Sequence, residues 1–265
     1  MSTVIAGCSA IAFYLLTATR ILRSSNANEP SFSLISPVGL MGFMAVICHG
    51  LTIYSDAITD VGLNLDVFTT ASIVAWLISF LVLCGGKRPP IASLSLVVFP
   101  FSSLVVGVSL AFSAEHLVVE EVNVRLHIAL SLLAYSLFSV AAIQATYIAI
   151  AEYKLKNHRP IMKLLPPLTV MEELLFQLTT IAFVLLTIGL VIGYAEVNNI
   201  MEQHLSHKIV FSIMAWLIFL LLLAGRYLRG WRGKKATYLV IGGFVCLAIG
   251  FLGSKFVLEI ILERV

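Results

Sequence analysis

The sequence predicts an all-α, polytopic membrane helix bundle with eight transmembrane helices and both termini extracytoplasmic. Three observations predict it. Of the 265 residues, 60% are hydrophobic and 12% are charged, and the mean hydropathy is +1.01; a soluble domain carries about a quarter charged residues. The apolar residues run in eight stretches of the roughly 20 residues needed to cross a bilayer, at about 2–22, 37–56, 66–85, 91–112, 123–151, 172–195, 207–227 and 236–260. The basic residues are also sorted. Connections 1–2, 3–4, 5–6 and 7–8 hold 13 of the 17, while the opposite side keeps Arg125, Lys208, Lys255 and Arg264 with most of the acids. Loops rich in lysine and arginine stay cytoplasmic, so an even number of spans leaves both ends outside. No linker, composition shift, repeat or low-complexity tract interrupts the chain, and residues 1–265 read as one integral membrane domain.

The first segment has no basic residue ahead of it and is followed by Arg20 and Arg23. That charge order is the reverse of a secretory signal, which predicts a retained helix. The second starts at Pro37, a good first-turn residue. His49 follows about 12 residues in, roughly 18 Å along the axis, towards the outer side, where Asp56 and Asp60 lie. The basic pair Lys87 and Arg88 separates the third and fourth segments.

The fifth opens with R-L-H-I-A-L-S-L-L-A-Y at 125–135. His127, Ser131 and Tyr135 recur at four-residue steps and Ser139 adds a turn, which places a polar stripe close to one helix face. In lipid such a face must meet protein or a cofactor. Pro160, Pro166 and Pro167 punctuate the next connection, and Thr169 with Glu172 has capping-box spacing, so the sixth helix is expected to begin there. It ends with Gly189-Leu-Val-Ile-Gly193, a small-x-x-x-small pattern read as helix packing. The seventh begins Ser206-His207-Lys208, with Phe211 and Met214 expected to wall one side of His207. The basic run Arg226 to Lys235 reads as an anchor at anionic headgroups. The eighth carries Gly243, Gly250 and Ser254.

Several chemistries are excluded. Cys8, Cys48, Cys84 and Cys246 lie in apolar segments without a C-x-x-C, as packing residues do, and no Cys/His cluster has zinc spacing. There is no nucleophile elbow or phosphate-cradling glycine loop. Helix centres lack the carboxylates that proton-coupled transport uses. A formal charge of +3 spread over short loops does not suit nucleic acid.

What remains is histidine. His158 lies in a basic loop, and His116 and His204 in outer loops. His127 and His207 open two helices on that same side, and His49 points towards it from within the second segment. Neutral imidazole is a common ligand for haem iron. Two axial nitrogens need stand only about 4 Å apart with iron between them. A single interfacial histidine is more often a hydrogen-bonded structural residue. That weighs most on His116 and His204, less on His49, and leaves the two readings level for His127 with His207.

The motifs carry a resemblance. The stretches L-H-I-A-L-S-L-L-A-Y at 126–135, L-P-P-L-T-V-M-E at 165–172, L-L-T-I-G-L-V-I-G at 185–193, H-K-I-V-F-S-I-M-A-W at 207–216, G-R-Y-L-R-G-W-R-G-K-K-A at 225–236 and C-H-G-L at 48–51 resemble the cytochrome c assembly protein family of the CcsA/ResC type, in its smaller YpjD/HemX-like inner-membrane branch. The resemblance implies a multi-pass protein of a bacterial inner (cytoplasmic) membrane that binds haem b near the outer face and assists cytochrome c biogenesis. Its implied partners are haem, apocytochrome c or other cytochrome biogenesis membrane proteins, and the bilayer.

His127 matches the family's first external haem-ligand histidine, His49 resembles a membrane-embedded one, and His207 lies where larger members end their W-W-D segment. The expectation is therefore His127 and His207 as axial ligands, with His49 a third candidate. The alternative is a scaffold or regulator of the haem pathway acting through the basic loops, without haem chemistry. Three family features are missing: no tryptophan lies between Gly193 and His207, no second external histidine lies in 251–265, and none stands near Ala224 and Gly225. Enzymatic attachment of haem is thus left open, with these absences against it.

Overall fold

The computed structural model describes residues 2–24, 32–59, 62–112, 117–118, 122–158, 166–196 and 206–253. Among them are eight helices long and apolar enough to cross a membrane: α1 (Ser2–Ser24), α2 (Pro37–Ala57), α3 (Val67–Cys84), α4 (Pro89–Ala111), α5 (Val122–Lys156), α6 (Leu168–Glu196), α7 (Ser206–Arg229) and α8 (Lys234–Ala248). The helices form two compact units, although no break in the sequence marks the division. The first contains α1–α4 and the second α5–α8.

In the first unit, α1 packs on α2 and α4, and α3 on the same two, which closes a four-helix ring. Ser36 caps α2 through Gly39 N at 3.1 Å, ahead of Pro37. Asp66 caps α3, accepting from the backbone of Phe68 and Thr69 at 2.6 and 3.0 Å and from the Thr69 hydroxyl at 2.6 Å. The all-α expectation holds apart from one small antiparallel sheet of order β1–β2–β3, formed by Ile58–Thr59, Gly62–Asn64 and Leu117–Val118. Strands of two or three residues are too short for alternation to show in a sequence.

The second unit repeats the ring: α5 packs on α6 and α8, and α7 on the same two. Its core is an aromatic stack. The rings of Phe138 and Phe219 are 3.9 Å apart and 16° from parallel, over Gly243, where a Cβ would stand 2.7 Å from the Phe219 ring. The sixth helix does not begin at a capping box. It starts at Leu168, with the Pro167 carbonyl accepting from Met171 N at 3.2 Å. Glu172 is drawn away to the α7–α8 turn, where its carboxylate accepts from Gly233 N at 2.9 Å. Gly230 ends α7 at a φ of +66°, and Trp231 folds back to bond the Gly225 carbonyl at 3.1 Å, so the basic run is an ordered hairpin. The eighth helix changes to a π turn at Ile249–Gly253.

Candidate functional site: an imidazole seated on α6

His127 lies in the second turn of α5 and reaches across to α6. Its Nδ1 is 2.7 Å from the Gly189 carbonyl oxygen. A carbonyl only accepts, so Nδ1 carries the proton and donates it. In the neutral ring the lone pair is then on Nε2. The ring rests against Gly193, where a Cβ would stand 2.6 Å from His127 Cε1 and 2.8 Å from Nδ1. One turn on, a Cβ on Gly189 would meet Ser131 Oγ at 3.4 Å. The small-x-x-x-small motif is therefore packing, as expected, and what it packs around is the histidine.

The polar stripe of α5 does not stay on one neighbour. His127 and Ser131 face α6, whereas the Tyr135 hydroxyl donates to the Leu247 carbonyl of α8. Four residues advance a helix by about 40° more than a full turn, so two such steps pass from one neighbour to the next. Ser139 donates back to the Tyr135 carbonyl at 2.8 Å.

Helices α5 and α7 run in the same direction, and the Phe138–Phe219 stack fixes their register. Eleven residues back from each ring lie His127 and Lys208, both about 16 Å from the stack and about 20° beyond three full turns. Between the stack and that end the two lines carry small residues, Ala134 and Ser131 on one and Ala215 and Ser212 on the other. His207 is level with His127 to within one residue's rise of about 1.5 Å, but about 100° further round the helix. Its side chain lies outside the described residues. The residues seven and fourteen positions on, Met214 and Leu221, are 43% and 53% exposed. Of the two residues expected to wall His207, Phe211 packs against Gly250 of the π turn and Met214 is exposed.

His49 belongs to the first unit and is fully buried. Both its nitrogens are engaged, Nδ1 with the Tyr14 hydroxyl at 3.1 Å and Nε2 with Ser72 Oγ at 2.9 Å. The ring ties α1, α2 and α3 together. Sequence reasoning missed Tyr14 and Ser72, since nothing local marks them as partners. It also missed Gln144, a buried α5 residue whose Nε2 donates to the Met171 carbonyl at 3.1 Å while its Oε1 has no partner among the described residues. His158 is exposed just beyond α5. His116 and His204 lie outside the described residues.

An iron-bound imidazole ordinarily has its second nitrogen tied to a carbonyl or carboxylate, which is the state of His127. Haem iron takes at most two donors from the protein. A bare metal ion needs more, and among the described residues no three His, Cys, Asp or Glu side chains gather. His127, with Nδ1 tied to a carbonyl, fits the part of a single haem-iron donor.

Comparison with known proteins agrees with the motifs. Residues 38–262 match the sequence profile described as Cytochrome C assembly protein, a span that takes in His49, His127 and His207. The chain belongs to the cytochrome c assembly protein family. Within that family it is 29% identical to Inner membrane protein YpjD of Escherichia coli (strain K12) over 245 residues, 91% of each chain. It is 35% identical to Cytochrome c biogenesis protein CcsA of Cyanophora paradoxa over 85 residues, covering 31% of this chain and 26% of that protein. For CcsA of Gloeobacter violaceus the identity is 31% over 91 residues, 34% and 27% of the two chains. No solved structure matches the chain. The family resemblance read from the motifs is borne out, as is the bundle of eight apolar helices.

Proposed function

We propose that this chain is a haem-handling protein of a bacterial inner membrane that assists cytochrome c biogenesis, with both termini outside and haem b held near the outer face. The observation that carries the reading is the His127 imidazole, oriented by the Gly189 carbonyl and seated on Gly193, so that Nε2 carries the lone pair. His127 would hold the iron through Nε2, and His207, at the same level in the first turn of α7, would be its second ligand. When bound, haem supplies an iron centre to be passed to an apocytochrome. The chain's own residues fix the imidazole's tautomer and direction and surround it with apolar helices. His49 is a less ready ligand, because one of its two hydrogen bonds must break before it can meet iron.

Haem titration of the purified chain tests the assignment. Wild type is expected to bind one haem with a six-coordinate spectrum. His207→Ala is expected to retain haem in a five-coordinate form, and His127→Ala to weaken binding at least tenfold. Equal binding by all three proteins contradicts it.

The scaffold reading has its own support in the ordered basic hairpin, with Arg229, Arg232, Lys234 and Lys235 exposed. In that case Arg229→Gln with Arg232→Gln would abolish crosslinking to a partner protein, and the purified chain would contain no haem.

A further inference from the structure

We propose that Lys208 holds a haem propionate, a role that rests on the haem-handling reading above and adds a cation to a site otherwise built of imidazoles. The observation behind it is register. The Phe138–Phe219 stack aligns two helices that run the same way, and equal counts of eleven residues lead to His127 and Lys208. Lys208 is thus the residue of α7 that shares both the level of His127 and the inward line of Phe219.

The line is defined by more than the stack. Ala215 and Leu222, with Phe219, have no exposed surface. Phe211 marks the α8 side of α7 through Gly250, and Trp216 marks the α6 side through Thr187, to which its Nε1 donates at 3.0 Å. Lys208 falls between these two sides, at the mouth of the ring, and is half-buried.

The chemistry selects the ligand group. A lysine on a lipid-facing line at a membrane boundary extends to water. On a bundle-facing line the ammonium instead lies where a group held in the bundle can reach it. Haem b carries two carboxylates on one edge of a flat apolar ring. An imidazole on the iron and an ammonium on a propionate fix the ring at two points. The small residues beneath, Ala134 on α5 and Ser212 and Ala215 on α7, put little bulk between those points and the aromatic stack. Lysine suits the task as a compact point charge on a flexible stem.

The test is a chemical double cycle on the full chain in detergent. It uses haem and haem dimethyl ester as ligands, and wild type, Lys208→Gln and Lys208→Arg as proteins. Lys208→Gln should bind haem roughly tenfold more weakly than wild type, and Lys208→Arg within about threefold of it. Wild type should bind the ester roughly tenfold more weakly than haem, while Lys208→Gln should bind the two alike. The absorption spectrum of bound haem should be the same in all three proteins, because the iron ligands are untouched. Three results overturn the proposal: wild-type affinity in Lys208→Gln, a further loss with the ester in Lys208→Gln, or a changed ligand-field spectrum, which would put the amine on iron. The ester arm on wild type needs no variant to fold. A wild type that binds neither ligand removes the haem-handling reading, and this proposal falls with it. A wild type that binds haem and its ester equally removes this proposal alone.

Discussion

Replacing Gly193 by alanine is expected to destabilise the protein by about 1–3 kcal/mol and to weaken haem binding roughly tenfold. The added methyl would stand 2.6 Å from His127 Cε1, well inside van der Waals contact. The α6 backbone cannot retreat, because it is packed along α5. The ring must therefore swing, and in doing so it loses the hydrogen bond to the Gly189 carbonyl that fixes its tautomer. Gly189→Ala is the internal control. Its methyl would meet Ser131 Oγ at 3.4 Å and Leu130 Cβ and Ser131 N at 4.0 Å, ordinary van der Waals contacts, and it should change both quantities little. Thermal unfolding in detergent and haem titration check the pair. If the clash is the cause, His127→Ala in the Gly193→Ala background adds almost no further loss of stability. Additive losses would mean that Gly193 acts on something other than the imidazole.

His49→Leu is expected to lower stability by about 2–4 kcal/mol, as the buried Tyr14 and Ser72 hydroxyls each lose their imidazole partner. Leucine fills a similar volume, so the loss comes from the Tyr14 and Ser72 hydroxyls rather than from a cavity. Both lie in the interior of the first unit, where a polar group that loses a partner is costly. Tyr14→Phe removes one hydroxyl and should cost about 1 kcal/mol. Unfolding midpoints of the two variants decide the matter. A His49→Leu protein as stable as wild type would show that the ring is not a structural tie, and would return it to the list of ready iron ligands.

The eight spans were legible because lipid imposes one strong demand, an apolar stretch of fixed length, and composition answers it directly. What the sequence could not show is where a local signal competes with a distant one. Thr169 and Glu172 have the spacing of a helix start, yet the glutamate binds Gly233 N, sixty-one residues away, and Pro167 opens the helix instead. The stripe from His127 to Tyr135 looks continuous at four-residue steps, but its drift delivers Tyr135 to α8. His127 itself was legible as a polar residue at the mouth of an apolar helix. Its partner was legible only as a packing motif, since nothing local says which ring a pair of glycines will receive. Lys208 was legible only as an outer-side charge, because the role proposed for it depends on the register of two helices, which the Phe138–Phe219 stack makes visible.

One measurement bears most directly on the claim that His127 is oriented to grip iron: the reduced-minus-oxidised absorption spectrum of the protein purified from haem-replete cells, recorded for wild type and for His127→Ala. The account predicts a low-spin haem b signal in wild type and its near absence in a folded His127→Ala protein. A wild type without haem, or a mutant with the same spectrum and haem content, would contradict it.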